Sequence, residues 1–150
     1  MKIKQKGEKQ LFDTDIVART LYGEARGEGI KGIEAVACVI QNRYKACRWF
    51  TGYIFKDGQR VPSLTQTCLK NGQFSCWNQY DRNCAIIKKV NATNKIFQDC
   101  LIVAKKVVEG KLKDFTGGAT HYHTRQIIPC WARGKTPCFE YKNHIFYKDV

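Results

Sequence analysis

No apolar run in the 150-residue chain approaches the ~20 residues that a membrane-spanning helix requires. No membrane span is therefore expected. The first ten residues, MKIKQKGEKQ, are basic but have no apolar stretch behind them, so no secretory signal is visible. Delivery outside the cell would need phage-type release or a signal already removed. No CxxC pair occurs among the eight cysteines, which excludes a zinc ribbon or a thioredoxin-type motif. There is no internal repeat, no low-complexity tract and no linker, so the length corresponds to one domain. Acidic residues are scarce: 13 against 26 Lys and Arg, a formal charge of +13. Such an excess implies a polyanionic partner, either nucleic acid or an anionic surface.

What remains is a chain with a real core and a helical pattern. Apolar residues make up 43%, too many for a disordered chain. DTDIVARTLYGEAR reads as a first helix, capped by Asp13 or Thr14 and ended by Gly27 or Gly29. Residues 1–12 are then a basic N-terminal arm and residues 13–150 the functional domain. KGIEAVACVIQNRY is a second helix, with Ile33, Val36, Ala37, Ile40 and Tyr44 at helical spacing. NKIFQDCLIVAKKVVEG is a third, with Thr93 as its cap and Gly110 as its stop. Residues 45–88 show no sustained period and read as a long irregular region with short helices, the kind of segment that is usually functional. The tail from Phe115 reads as loops with short strands. The fold class is mainly α, α+β at most.

Cys38 and Cys100 fall inside helical patterns and suit small core positions. The other six cysteines lie near element ends or in loops, as free thiols or as bridges. Cys68 and Cys76 flank LKNGQFS, whose Asn71-Gly72 is a turn signal. They are the favoured pair if any bridge forms.

One residue breaks the pattern of the first helix. At about 100° per residue, Asp15, Arg19 and Arg26 share one side, and Val17, Ala18, Leu21 and Ala25 the other. Glu24 falls about 20° from Val17, on the apolar side and near the helix C-terminus. Desolvation and the negative end of the helix dipole both disfavour its anion. A carboxyl kept protonated near neutral pH is what a general acid requires. On this pattern alone Glu24 reads equally well as a buried structural carboxylate bonded to Arg26, Arg43 or a loop amide.

LYGEARGEG followed by KGIEAVACVIQNR resembles the opening motif of the cell wall hydrolase family that includes the spore-cortex-lytic enzymes. Later segments resemble it in the same order: QFSCW at 73–77, GGATHYH at 117–123, IPCW at 128–131 and NHIFY at 143–147. The likeness runs from about Ile16 to Tyr147. The segment KACRWFTGYIFKDGQRVPSL departs from it, with extra basic and aromatic residues. The resemblance implies a peptidoglycan-cleaving domain related in fold to lysozymes and lytic transglycosylases. It implies Glu24 as catalytic acid and no metal or other cofactor. The partners implied are peptidoglycan glycan strands and the anionic wall surface, with no specific nucleic acid, for a monomer acting at the bacterial cell wall, in the periplasm or outside the cell.

Arg26 and Asn42 also match motif positions, where a structural role is expected. Glu28, Gln73, Phe74, Trp77, His121 and Tyr122 are the expected substrate-binding residues. For Phe74, Trp77 and Tyr80 the competing reading is core packing. His121-Tyr122-His123 with His144 or Cys130 has the look of a zinc site, but no accompanying carboxylate or CxxC stands at ligand spacing. The competing function is a non-catalytic basic module that binds wall polymer or nucleic acid. Such a module gains nothing from a carboxyl on an apolar face.

Overall fold

The computed structural model describes residues 2–148 and 150. Among these, five α-helices and two small antiparallel sheets make up a mainly α, α+β domain. Helix α1, Lys2–Ala25, packs against the other four: α2, Gly29–Ala46; α3, Leu64–Leu69; α4, Arg82–Lys89; and α5, Lys95–Val108. The core is the meeting of Val17, Leu21 and Ala25 of α1 with Ile33, Val36 and Ile40 of α2 and Phe97, Cys100 and Val103 of α5. The α1 and α2 residues are the apolar stripes read from the sequence, and Cys100 is the small core position expected there.

The basic arm is not separate from the first helix. Residues 2–12 continue α1 and are exposed throughout. Asp13 and Thr14 therefore cap nothing. Asp13 is buried and accepts a hydrogen bond from the Thr65 hydroxyl of α3, and the Thr14 hydroxyl donates to the Gln10 carbonyl at 2.7 Å. Lys, Gln and Glu are good helix formers, so a helix nucleated on the core propagates outward through a segment with no apolar stripe to announce it. The cap of α5 is also one residue later than expected. The Asn94 side chain accepts from the Phe97 N–H, while Thr93 is tied to the Asn91 side chain. Gly110, at φ 69°, ends this helix as expected, and the Lys111 N–H closes back onto the Lys106 carbonyl at 2.8 Å.

The region between α2 and α4 holds more order than its sequence suggests. Strands β1, Tyr53–Lys56, and β2, Gln59–Pro62, form a hairpin across Asp57 and Gly58, both at positive φ. An Asp-Gly pair between two short strands is a strong hairpin signal. Helix α3 follows, capped by Ser63, and then a 3-10 turn over Ser75–Trp77. The second sheet is C-terminal: β3, His121–Thr124, pairs with β5, His144–Tyr147, which pairs with β4, Phe139–Tyr141. Cys68 and Cys76 form no bridge. Both are buried thiols in the core, and packing rather than pairing holds the segment between them.

Gly23 sets how closely the 3-10 turn approaches α1. A Cβ at this position would stand 2.6 Å from Cys76 Cβ and 2.9 Å from Ile87 Cγ2. Gly23→Ala should therefore lower stability by about 1–3 kcal/mol through overpacking, read as a lower urea midpoint. An unchanged midpoint would mean that the turn moves away freely.

Candidate active site

Three parts of the chain converge on Glu24. It stands in the last turn of α1, where the wheel put it. The 3-10 turn lies against it, and the Cys76 backbone N–H donates to its carboxyl group. From the C-terminal sheet, the Tyr122 hydroxyl donates to the same group. From α2 comes Arg43, close enough to exert a clear charge effect on it. Burial is the largest influence and raises the Glu24 pKa. Asp81 raises it further by repulsion, while Arg43 and the two hydrogen bonds pull it down. The balance leaves it at about 7, against an ordinary value of 4.5.

Arg43 is held under restraint. It is only 3% exposed. Its Nε donates to the Thr120 carbonyl at 2.6 Å, and its guanidinium lies over the Phe74 ring at 4.7 Å. Burial lowers its pKa, and the nearby Tyr122, Cys68 and Glu24 side chains oppose that effect. Two neighbours on α2 bind the same stretch of chain: Gln41 Nε2 donates to the Leu112 carbonyl at 3.0 Å and Asn42 Nδ2 to the Ala119 carbonyl at 2.8 Å. Consecutive polar residues thereby fasten the segment that leads into β3. Alternation along β3 then sends Tyr122 to the side opposite His121 and His123, which both meet Trp131.

A cleft of about 410 Å³ opens beside Glu24, with Arg43, Gln73, Asn83, Tyr122 and His144 in its wall. Among the described residues, Glu24 is the only Asp or Glu in the lining. A second cavity of about 270 Å³ shares Arg43, Gly72, Gln73 and Tyr122 with the cleft and adds Trp49, His121 and Trp131. Of the residues expected from the sequence, Glu24, Gln73 and Tyr122 meet in the cleft, and His121 lines the side cavity. The others lie elsewhere. Phe74 is 2% exposed beneath Arg43. Trp77 packs on the core and donates its indole N–H to Thr20 at 2.9 Å. Glu28 is buried against the β4–β5 turn, where it accepts from the Asn143 N–H at 3.4 Å. Arg26 reaches Asn83 Oδ1 at 2.7 Å, which steadies one wall of the cleft.

Burial, followed by Arg43, Arg48 and Lys135, pushes the His121 pKa down to about 4. His123 accepts from the Tyr147 hydroxyl at Nε2 and donates to the Thr124 carbonyl from Nδ1. Among the described residues no three His, Cys, Asp or Glu side chains are grouped to hold a metal.

Sequence reasoning named Arg43 only as one possible partner of a structural Glu24 and not as a cleft residue, although a signal for that was present. Arg43 stands three residues after Ile40 and seven after Val36, on the apolar stripe of α2. The test that singled out Glu24 applies to it equally.

Residues 27–147 match the model of the Cell Wall Hydrolase family. The chain belongs to that family. The matched stretch contains Arg43, Gln73, Tyr122 and His144 and begins three residues after Glu24. No curated protein and no solved structure matched the chain. Family membership makes this a hydrolase of the cell wall.

The raised Glu24 pKa has a sign for stability. Between about pH 4.5 and 7 the folded chain keeps a proton that the unfolded chain releases. The Glu24 contribution is therefore full below the unfolded value and is lost as pH rises through 7. Glu24→Gln should make the protein more stable than the native chain at pH 8, by on the order of 3 kcal/mol at most, with little difference at pH 4. Parallel urea titrations at the two pH values read this. An equal offset at both would mean that the carboxyl is ionised without penalty.

Proposed function

We infer that this cell wall hydrolase cleaves the MurNAc–GlcNAc bond of peptidoglycan with Glu24 as the single catalytic residue, and that it does so by lytic transglycosylation. One observation carries the reading: among the described residues, Glu24 is the only Asp or Glu lining the cleft. Hydrolysis by the usual routes needs two, flanking the bond at roughly 5–9.5 Å. Asp81 is the nearest alternative because its charge reaches Glu24. However, its side chain is engaged as the cap of α4, accepting from the Asn83 N–H at 2.8 Å, and it does not line the cleft.

One carboxyl suffices when the substrate supplies its own nucleophile. Glu24 gives its proton to the glycosidic oxygen as the bond to C1 of MurNAc breaks. The resulting carboxylate takes the proton of the MurNAc C6 hydroxyl, and that oxygen closes onto C1. The proton count balances, and Glu24 ends as it began, protonated. Between the two steps Glu24 is an anion. Arg43, the Tyr122 hydroxyl and the Cys76 N–H all favour that form, while burial and Asp81 favour the acid. A pKa near 7 is the compromise that lets one group serve first as acid and then as base. The charge of +13 suits an insoluble anionic substrate, which it would concentrate on the enzyme at low salt.

Glu24→Gln should fold normally and lose wall-clearing activity by about 10²–10⁴-fold, the usual contribution of general acid–base catalysis. A variant that keeps more than roughly a tenth of the rate would remove Glu24 from the mechanism. The released fragments decide the route. Mass spectrometry should find 1,6-anhydro-MurNAc ends, about 18 Da lighter than hydrolysed ends by one water. Reducing MurNAc as the main product would require a second carboxyl to reach the cleft and activate a water.

A further inference from the structure

The side cavity does not end at the tryptophans. Trp49, 57% exposed, separates it from a third cavity of about 280 Å³ that Arg48, Arg60 and Lys70 line. The cleft, the side cavity and the cationic cavity thus form a series: the first two share four wall residues and the last two share Trp49. Among the described residues, neither of the two outer cavities has an Asp or Glu in its lining, and Val150 adds to the wall of the side cavity. None of the three cations forms an ion pair among the described residues. Arg60 is instead braced against the Tyr53 ring at 4.1 Å and Arg48 against Phe50 at 5.4 Å. Stacking fixes both guanidinium groups without neutralising them.

The passage between has unused donors. Arg43 Nη1 and His121 Nε2 are buried nitrogens without a hydrogen-bond partner among the described residues. Both side chains are more than nine-tenths buried, and both line the side cavity. The His121 Nδ1 is occupied by the Thr120 hydroxyl at 3.1 Å. Buried polar groups left unpaired are costly and normally mark a missing partner. A partner that fits must be acceptor-rich along the passage, which Trp49 and Trp131 line with indole faces packed on His121, and anionic at the far end.

We propose that the Trp49–Trp131 passage and the Arg48–Arg60–Lys70 cavity form a binding site for the acidic peptide arm carried by the sugar in the Glu24 cleft. The site rests on the reading of that cleft as a peptidoglycan-cleaving one. Peptide carbonyls supply the acceptors for Arg43 and His121, and the carboxylates of the arm meet the three cations. The peptide branches from the same sugar ring whose linkage Glu24 attacks, so one substrate fills all three cavities. The cations come from the bend after α2, from β2 and from the loop after α3. Arg48, Trp49 and Arg60 belong to the segment that departs from the family pattern. The enzyme accordingly prefers glycan whose peptides are intact and whose carboxylates are free.

The test uses the intact protein and no bond cleavage. Calorimetric titration with a synthetic stem tetrapeptide bearing free carboxylates is compared with the same peptide amidated at each of them. The acid form should bind about tenfold tighter, the sum expected of three partly exposed charge pairs. Replacing Arg48, Arg60 and Lys70 together by Gln should abolish that difference, with circular dichroism showing the same fold. Equal affinity for acid and amide, or no binding of either, overturns the proposal. A glycerol phosphate oligomer that binds tighter than the acid peptide also overturns it, in favour of a wall phosphate polymer. Failure here leaves the Glu24→Gln activity result untouched. Conversely, full activity in Glu24→Gln would sink the cleavage mechanism without altering the peptide isotherms.

Discussion

Everything in the candidate site depends on how α2 grips the chain that enters the C-terminal sheet. Gln41, Asn42 and Arg43 each donate to a carbonyl between Leu112 and Thr120. These are hydrogen bonds between segments more than 70 residues apart in sequence, with two of the three side chains fully buried. Without them β3 has no fixed height relative to the helices, and Tyr122 has no reason to meet a carboxyl at the end of α1. The grip also spends the Nε of Arg43 on Thr120, leaving the rest of its guanidinium to act as a fixed positive charge beside Glu24. Scaffold and electrostatics therefore share one side chain.

The environment of Glu24 is a balance in which no single neighbour dominates. Burial and Asp81 hold the proton on; Arg43, Tyr122 and the Cys76 N–H ease it off. Each of these comes from a different element: α4's cap, α2, β3 and the 3-10 turn. A change in the packing of any one alters the protonation of the residue at the centre. This is how a fold with few charged groups in its core tunes one carboxyl: burial and one nearby acid against a buried cation and two hydrogen bonds.

The long helices were legible because their apolar residues recur at helical spacing, and α2 and α5 appear close to where that spacing put them. What escaped was structure that carries no periodicity. The outer half of α1 has no apolar stripe, so nothing distinguishes its helix from a coil except intrinsic propensity. The β1–β2 hairpin is only four residues a side, too short for alternation to show, although Asp57-Gly58 announces its turn. Glu24 was legible as a polar residue on an apolar face. The rest of the cleft was harder, since Asn83, Tyr122 and His144 are brought together only by the tertiary fold. Phe74 and Trp77 show the limit most plainly: an aromatic ring reads the same in a sequence whether it faces a sugar or the core, and here both face inward.

The thiols of this protein have a chemical consequence of their own. Cys38, Cys68 and Cys100 are buried, and burial pushes each pKa up to about 12. Oxidants and disulfides react with the thiolate, and at neutral pH these three have almost none. Their sulfurs behave as inert apolar filler, indifferent to the redox potential of the surroundings. Susceptibility to oxidation falls instead on the exposed Cys47 and Cys130, at the end of α2 and beside Trp131. The same core can therefore persist unchanged in a reducing cytoplasm and in the oxidising space where a cell wall lies.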